Sequence, residues 1–368
     1  MSSMRTIDDI KVIIYNRSDA GADMVRRFRG MNGKEMLEVP DDRGLAGAVN
    51  SLRARGLRSK EVVILKKFMG RMFQRCPGSA GVVCCNYMLI NTGFNCLYDC
   101  AYCFLNSYLN SFGIVQFINP EISFAELAGA AAEDEIIRIG TGEFTDSLML
   151  DEVSGIGASC IAGASNYPNV FLELKTKSDN IRHLLDIKDK GNAVLAWTLN
   201  TDRNITRFEA DTASLNRRID AAIAAAGSGY LVAFHFDPII LYDGCLPEYR
   251  AIIDRVFASI DPGRIAWISL GCFRYGAGFR DAVRNSPGRA LTAAEMFPGG
   301  DGKYRYLKRA RIDAYSGILE RIRDYGDEVF VYLCMETEDV WREVFGTSYR
   351  SSRDLERAFS GHLKKNYL

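Results

Sequence analysis

The chain has 368 residues, and its 46 Lys and Arg are balanced by 46 Asp and Glu, so the formal net charge is zero. That balance argues against a nucleic-acid binder relying on bulk electrostatics, and leaves only a local basic groove open. The length suits one large α/β domain with extensions, or two domains. Ten cysteines behind an N-terminus without an apolar signal core predict a reducing, cytoplasmic setting with metal or redox chemistry. No apolar run reaches membrane-spanning length; the best, 230–241, is interrupted by His235 and Asp237.

Residues 1–85 are rich in charge and broken by glycines, which predicts a mainly helical N-terminal extension. Its cations Arg53, Arg55, Arg58, Lys60, Lys66, Lys67, Arg71 and Arg75 read as a solvated helix face rather than a phosphate-binding surface. From residue 86 to 345, short β-rich runs alternate with helical spacing. Strands are expected at 87–91, 135–140, 170–176, 193–199, 230–236, 265–270 and 329–333. Helices are expected at 124–132, 180–190, 211–226, 248–260 and 306–324. That rhythm predicts an α/β fold, a partial (β/α)6 barrel on a parallel sheet, with chemistry where strands end. Residues 346–368 read as a C-terminal helical tail.

Cys96, Cys100 and Cys103 form a C-x3-C-x2-C run with Tyr102 before the third cysteine. Three thiolates this close can hold three corners of a 4Fe–4S cluster and leave one iron without a protein ligand. Zinc usually takes four N/S ligands in paired short spacings, so a zinc knuckle needs Cys84 or Cys85 as a fourth thiolate. Three inert buried thiols are the other alternative. The motif resembles that of radical S-adenosylmethionine (SAM) enzymes. There the open iron takes the amino and carboxylate groups of SAM, and reduction splits SAM into methionine and a 5′-deoxyadenosyl radical.

The predicted strand ends carry ligand-suited groups. After 135–140 come Thr141, Gly142 and Glu143; the glycine admits a close ligand and the carboxylate accepts from an ammonium. This run resembles the Gly-Gly-Glu element that grips the SAM amino group. Lys177 suits the SAM carboxylate or a ribose oxygen, or else snorkels at a sheet edge. Thr198 and Asn200 suit ribose or methionine contacts. His235 and Asp237 alternate onto one strand face, as a structural hydrogen bond or a catalytic pair, with Asp237 also a cofactor candidate. Tyr102 is placed to flank adenine or to pack in the core.

The runs Arg75-Cys-Pro-Gly78, Val83-Cys-Cys-Asn-Tyr87 and Phe104-Leu-Asn-Ser-Tyr-Leu-Asn110, together with the cysteine motif, resemble the spore photoproduct lyase family. The resemblance extends through residues 138–151, 176–179, 234–243, 269–274 and 334–341, covering roughly 70–345. It implies a radical SAM partial barrel, a 4Fe–4S cluster on Cys96, Cys100 and Cys103, and an external flavodoxin- or ferredoxin-type electron donor. For members like the lyase itself it implies a thymine dimer flipped out of DNA as substrate. It also implies hydrogen return from a cysteine after the second barrel strand and a tyrosine beside the last cluster cysteine. Here 141–150 contains no cysteine, Glu143 and Phe144 stand there, and Phe104 follows Cys103. Cys272 and Cys334, at the ends of later strands, are candidate replacement donors, or else pack as small hydrophobes. Residues 284–311 interleave Arg284, Arg289, Lys303, Arg305, Lys308, Arg309 and Arg311 with Phe297, Tyr304 and Tyr306, which suits phosphate clamping and base stacking. The missing donor and zero net charge favour a paralogue acting on another substrate. A photoproduct lyase with a relocated thiol, and a non-enzymatic iron–sulfur or zinc protein, are the alternatives.

Overall fold

The computed structural model describes residues 3–109, 111–131 and 135–368. Asn110 and Ala132, at the ends of two segments named above, lie outside them. Near the N-terminus, Val12-Ile-Ile-Tyr and Val62-Val-Ile-Leu are β-branched runs that suit a parallel strand buried on both faces. They form β1 (Val12–Asn16) and, after β2 (Glu35–Val39), β3 (Val62–Lys66), all parallel. The helices Asp23–Arg29 and Asp42–Ala54 are the crossovers. The first 85 residues are therefore a small α/β layer and not a mainly helical extension. Two buried β-branched runs outweighed the charge that surrounds them.

β4 (Phe73–Arg75) and β5 (Met88–Ile90) pair antiparallel at the edge of a second sheet. The chain then crosses to the first sheet through β6 (Gly93–Phe94), passes the cysteine motif with its short β7 (Asp99–Cys100), and returns as β8 (Ile114–Phe117). The first sheet runs β2-β1-β3-β8-β6.

The barrel follows: β9 (Ile137–Gly140), β10 (Val170–Thr176) and β11 (Asn192–Thr198), then the two-residue β12 (Glu209–Ala210), then β13 (Leu231–Ile239) and β14 (Ile265–Cys272). A three-stranded antiparallel insert, β15 (Arg274–Tyr275), β16 (Phe297–Pro298) and β17 (Tyr304–Arg305), precedes the last strand, β18 (Phe330–Leu333). The sheet order is β18-β14-β13-β11-β10-β9-β5-β4. β10 and β14 are three places apart, about 14 Å if the sheet were flat. Yet the Trp267 indole of β14 lies 3.0 Å from the Glu173 carboxylate of β10, so the sheet curls into the expected partial barrel. The helices Leu215–Gly227, Cys245–Ser259 and Lys308–Arg323 cover its outside, whereas 180–190 gives only the single turn Arg182–Leu185.

The C-terminal helix Ser352–Tyr367 closes the lower end of the barrel. Phe359 stacks on Phe330 at 4.2 Å and meets Trp267 edge-on at 5.4 Å. The Arg138 guanidinium lies 3.8 Å over the same ring, and Tyr367 meets Phe171 of β10. Phe359 is fully buried, so Phe359→Ala should lower stability by about 3–5 kcal/mol. Urea denaturation followed by circular dichroism checks this; a change within experimental error would mean the helix is not part of the cooperative unit.

Candidate active site

The cysteine motif is clamped between the first sheet and the segment Phe208–Ala210 that follows β11. Asn95 turns the chain at a positive φ of 71°. Its side-chain amide donates to the Gly113 carbonyl at 3.0 Å, and its carbonyl oxygen accepts the Cys96 N–H at 2.9 Å. β7 then pairs with β12, Cys100 facing Glu209, and the Ala101 N–H donates to the Phe208 carbonyl at 2.7 Å. The Tyr102 hydroxyl donates to Glu209 at 2.5 Å. Glu209 in turn is ion-paired to Arg218 at 2.6 Å, with neither side chain exposed. Burying such a pair is costly, and Arg218 offsets the cost by donating to the Thr198 and Ala213 carbonyls at 2.9 Å each.

The donor set of the loop is all thiol. Backbone N–H groups of Tyr98 and Leu105 point at the Cys96 and Cys103 sulfurs, which suits sulfurs that carry cluster charge. Burial pushes the Cys96 thiol up to about 12 and raises Cys100 and Cys103 as well; Lys177 opposes this at Cys100 and Cys103. Such thiols give up their protons readily only to a bound cation. Among the described residues, no three His, Cys, Asp or Glu side chains converge closely enough for a single metal ion.

Inside the barrel, strand alternation sorts the side chains into layers. In the middle layer the buried Glu173 carboxylate accepts from the Tyr87 hydroxyl at 2.5 Å and the Trp267 indole at 3.0 Å, and meets His235 Nε2 at 2.7 Å. His235 Nδ1 lies 2.6 Å from Ser269. Tyr87 reaches Glu173 because residue 140 is glycine: a Cβ there would lie 1.6 Å from its hydroxyl. Burial pushes the Glu173 carboxyl up, but His235, Lys175 and the Tyr87 hydroxyl outweigh it and leave the group at about 2.

The upper layer divides in two. On the side of the cysteine loop, the Lys177 ammonium lies 3.4 Å from the Thr198 hydroxyl and 5.7 Å from the Tyr102 ring centre. On the far side, Arg274 holds Asp237 with two contacts of 3.1 and 3.2 Å and reaches the Cys334 sulfur at 3.4 Å. Gly271 makes room for that carboxylate, since a Cβ would meet it at 2.7 Å. Burial, joined by Asp237, holds the Cys334 thiol protonated, with Arg274 opposing. Glu143 is also raised by burial, with Lys175, Lys303 and Arg274 opposing.

Several expected residues sit elsewhere. Cys272 faces outward: Trp267, Ser269 and Gly271 take the inner face of β14, and the next residue points its thiol at Tyr315 on the covering helix. His235 pairs with Glu173 and Ser269, not with Asp237, which belongs to Arg274. Asn200 is fully buried, and its amide is used by Glu209, Pro238, Asn204 and Tyr249. It holds the turn after β11 and has no capacity left for a ligand. Tyr102 has its hydroxyl committed to Glu209. Thr141 is buried against Ser147 at 2.7 Å, and Gly142 packs on the Lys175 chain. Cys334, Glu143, Lys177, Thr198 and Asp237 do line the interior.

The charged segments are mostly internally matched. Arg305 is buried with Asp301, Arg311 with Glu336, and Lys308 meets Asp339 and Glu343. Arg309 meets Asp313 and Arg284 meets Asp281, while Tyr304 stacks on Tyr275. The N-terminal cations Arg55, Arg58, Lys66 and Lys67 likewise pair with carboxylates, but they stand at a helix end, a turn and the end of β3 and not on the one helix face that was expected. Where the family resemblance places its hydrogen donors, Phe144 stacks with Tyr108 at 5.9 Å and meets Phe104 at 6.3 Å. Glu173, Lys175 and Arg274 were missed by the sequence reading, whereas Lys303 was among the cations it singled out. The alternation Glu173-Leu-Lys-Thr-Lys177 was the available signal for the first two.

A family model for spore photoproduct lyase matches residues 45–273. The chain belongs to the spore photoproduct lyase family. Spore photoproduct lyase of Geobacillus sp. (strain Y412MC61) is 28% identical over 249 residues, which are 66% of this chain and 70% of that one. The Bacillus subtilis (strain 168) enzyme is 27% identical over 173 residues, 45% of this chain and about half (49%) of the relative. Among solved structures, a mutant spore photoproduct lyase with dinucleoside spore photoproduct superposes with a TM-score of 0.73 at 18% identity, over 88% of this chain and 98% of that one. Another mutant, with bound AdoMet and the same dinucleoside, gives a TM-score of 0.72 at 19% identity over the same shares. Both show the same fold. No helix among the described residues is long and apolar enough to cross a membrane.

The Glu173 layer predicts an acid limit. Its folded-state value lies below the ordinary 4.5, at about 2. The stability it confers is therefore fully present above pH 4.5 and is lost as pH falls toward 2. Glu173→Ala should leave His235, Trp267 and Tyr87 without their acceptor, cost about 3–5 kcal/mol, and flatten that part of the pH–stability curve. Chemical denaturation at stepped pH checks both; an unchanged slope in the variant would refute the assignment.

Proposed function

We propose that this chain is a radical SAM enzyme that abstracts hydrogen from a substrate other than the thymine-dimer photoproduct. The observation that carries the reading is the all-thiol loop, held between the first sheet and β12, with Lys177 beside Cys100 and Cys103. When bound, a 4Fe–4S cluster reduced by a flavodoxin- or ferredoxin-type donor supplies the electron that splits SAM to a deoxyadenosyl radical. Cys96, Cys100 and Cys103 would hold that cluster. Lys177 would pair with the SAM carboxylate or a ribose oxygen, Thr198 would bond ribose, and Glu143 would accept from the SAM ammonium. Arg274 keeps Asp237 in place, so Asp237 acts as a positioning group. The curled walls, the insert and the C-terminal helix exclude water from the interior. A cytoplasmic setting fits the free thiols.

The substrate half of the proposal rests on Glu143, Phe144 and Phe104. Neither a carboxylate nor a phenyl ring has a weak X–H bond to give a carbon radical, so the donor route implied for the lyase is absent. A second reading has one observation in its favour. Cys334 is protonated, faces the interior and touches Arg274, so its S–H could give a hydrogen atom to a product radical, leaving a thiyl radical. Under that reading the chain repairs photoproduct with a relocated donor.

Anaerobically reconstituted protein, reduced with SAM in the presence and absence of ultraviolet-treated spore-type DNA, separates the two. 5′-Deoxyadenosine without dimer loss, read by mass spectrometry, is the expected result. Dimer loss that disappears in Cys334→Ala would establish repair instead. Cys100→Ala should abolish both the cluster absorbance and SAM cleavage; cleavage surviving in it would refute the ligand assignment.

A further inference from the structure

The segment between β4 and β5 carries Cys76, Cys84 and Cys85, half-buried thiols that the cofactor reading does not use. The Cys76 N–H continues the β4–β5 ladder by donating to the Tyr87 carbonyl at 2.8 Å. Cys84 stands on the returning arm of the same hairpin. There the Val83 N–H donates to the Glu336 carbonyl at 2.9 Å, and the Cys84 N–H to the Ser352 hydroxyl at 2.9 Å. The backbone at each of these two cysteines is thus held by partners outside the turn that joins them.

Both sulfurs lie against that turn. Gly78 takes a positive φ of 57°, and the N–H groups of Gly78 and Ser79 point at the Cys76 and Cys84 sulfurs respectively. Successive N–H groups of a turn form a small electropositive concavity, which suits sulfurs that carry or share negative charge. The missing side chain at 78 admits the second sulfur: a Cβ there would lie 3.0 Å from the Cys84 sulfur and 3.6 Å from the Cys84 Cβ. Among the described residues no third His, Cys, Asp or Glu converges on the two thiols closely enough for a metal ion. Sulfur–sulfur bonding is the chemistry left to them. Burial pushes the Cys76 thiol up to about 11 with only the Gly78 N–H opposing, whereas at Cys84 the Ser79 N–H is joined by Arg274 and Lys303. The thiolate forms more easily at Cys84, which makes it the attacking group.

We infer that Cys76 and Cys84 are a reversible disulfide pair, made and broken by exchange with a low-molecular-weight disulfide such as glutathione disulfide. The Cys84 thiolate attacks one sulfur of glutathione disulfide and expels a glutathione thiolate, giving a mixed disulfide. The Cys76 thiolate then attacks the Cys84 sulfur and expels the second glutathione thiolate. The protons released by the two cysteines are taken up by the two departing thiolates, and two electrons pass from the protein to glutathione. In a reducing setting such a bond is transient, so the pair is a redox-responsive site and not a structural staple. It requires neither the cluster nor SAM.

Reconstituted holoenzyme is equilibrated anaerobically in glutathione buffers of stepped ratio, quenched with acid, unfolded, alkylated and cut with chymotrypsin after Phe73 and Tyr87. In oxidising buffer the peptide 74–87 should carry its alkyl label on Cys85 alone, read by tandem mass spectrometry. Dithiothreitol should restore the labels on Cys76 and Cys84. Cys76→Ser and Cys84→Ser should each abolish the link, and the first should leave glutathione on Cys84. No link at any ratio, a link that joins Cys85 or Cys334 instead, or one that dithiothreitol does not reverse would overturn the inference. Should a variant fail to fold, the labelling pattern of the wild type decides by itself. The labels are read whether or not a cluster assembles, so failure of the cofactor reading leaves this test intact.

Discussion

The structure depends on one buried carboxylate. Glu173 stands in the middle of the barrel, out of reach of water, and is tolerated there because Tyr87, Trp267 and His235 converge on it from three separate segments. Each of those donors would be costly to bury unpaired, and so would the carboxylate. The cheapest arrangement brings all four together, which requires the sheet to curl until β14 comes within reach of β10. Curvature, the glycine at 140 and the burial of His235 are therefore parts of one electrostatic solution.

That layer acts as a floor. Below it the C-terminal helix fills the barrel with aromatic rings, and above it lie the charged side chains. The floor also separates support from chemistry within single strands. On β10, Phe171 packs, Glu173 binds the layer together, and Lys175 and Lys177 lie above it. On β13, His235 belongs to the floor and Asp237 to the chamber above, although two residues apart they looked like one pair.

The barrel was legible because its strands are apolar runs bounded by polar turns, and those at 170–176 and 265–270 lie where the periodicity puts them. The cysteine loop was legible from spacing alone. The N-terminal sheet was obscured because its short buried strands are embedded in charged helices, where local composition outweighs a run of three β-branched residues. Within the site, strand ends identified Glu143, Lys177 and Thr198. Parity decided the thiols: Cys334 falls on the inner face and Cys272 on the outer, a one-residue distinction that requires the strand register. Asn200 could not be judged from sequence, since its partners come from segments up to 49 residues away.

The clamp on the cysteine loop has a consequence for biosynthesis. One side of the loop is held by β6 and β8, which flank it in the chain. The other is held by Phe208 and Glu209, about a hundred residues later, with Arg218 behind them. A ribosome-bound chain that has emerged only as far as the cysteines would present three thiols on an unbraced segment. Its folded shape would arise only after Phe208, Glu209 and Arg218 had been made. Under the proposed function, iron and sulfide delivery is accordingly a late event, acting on a nearly finished barrel rather than on the nascent motif.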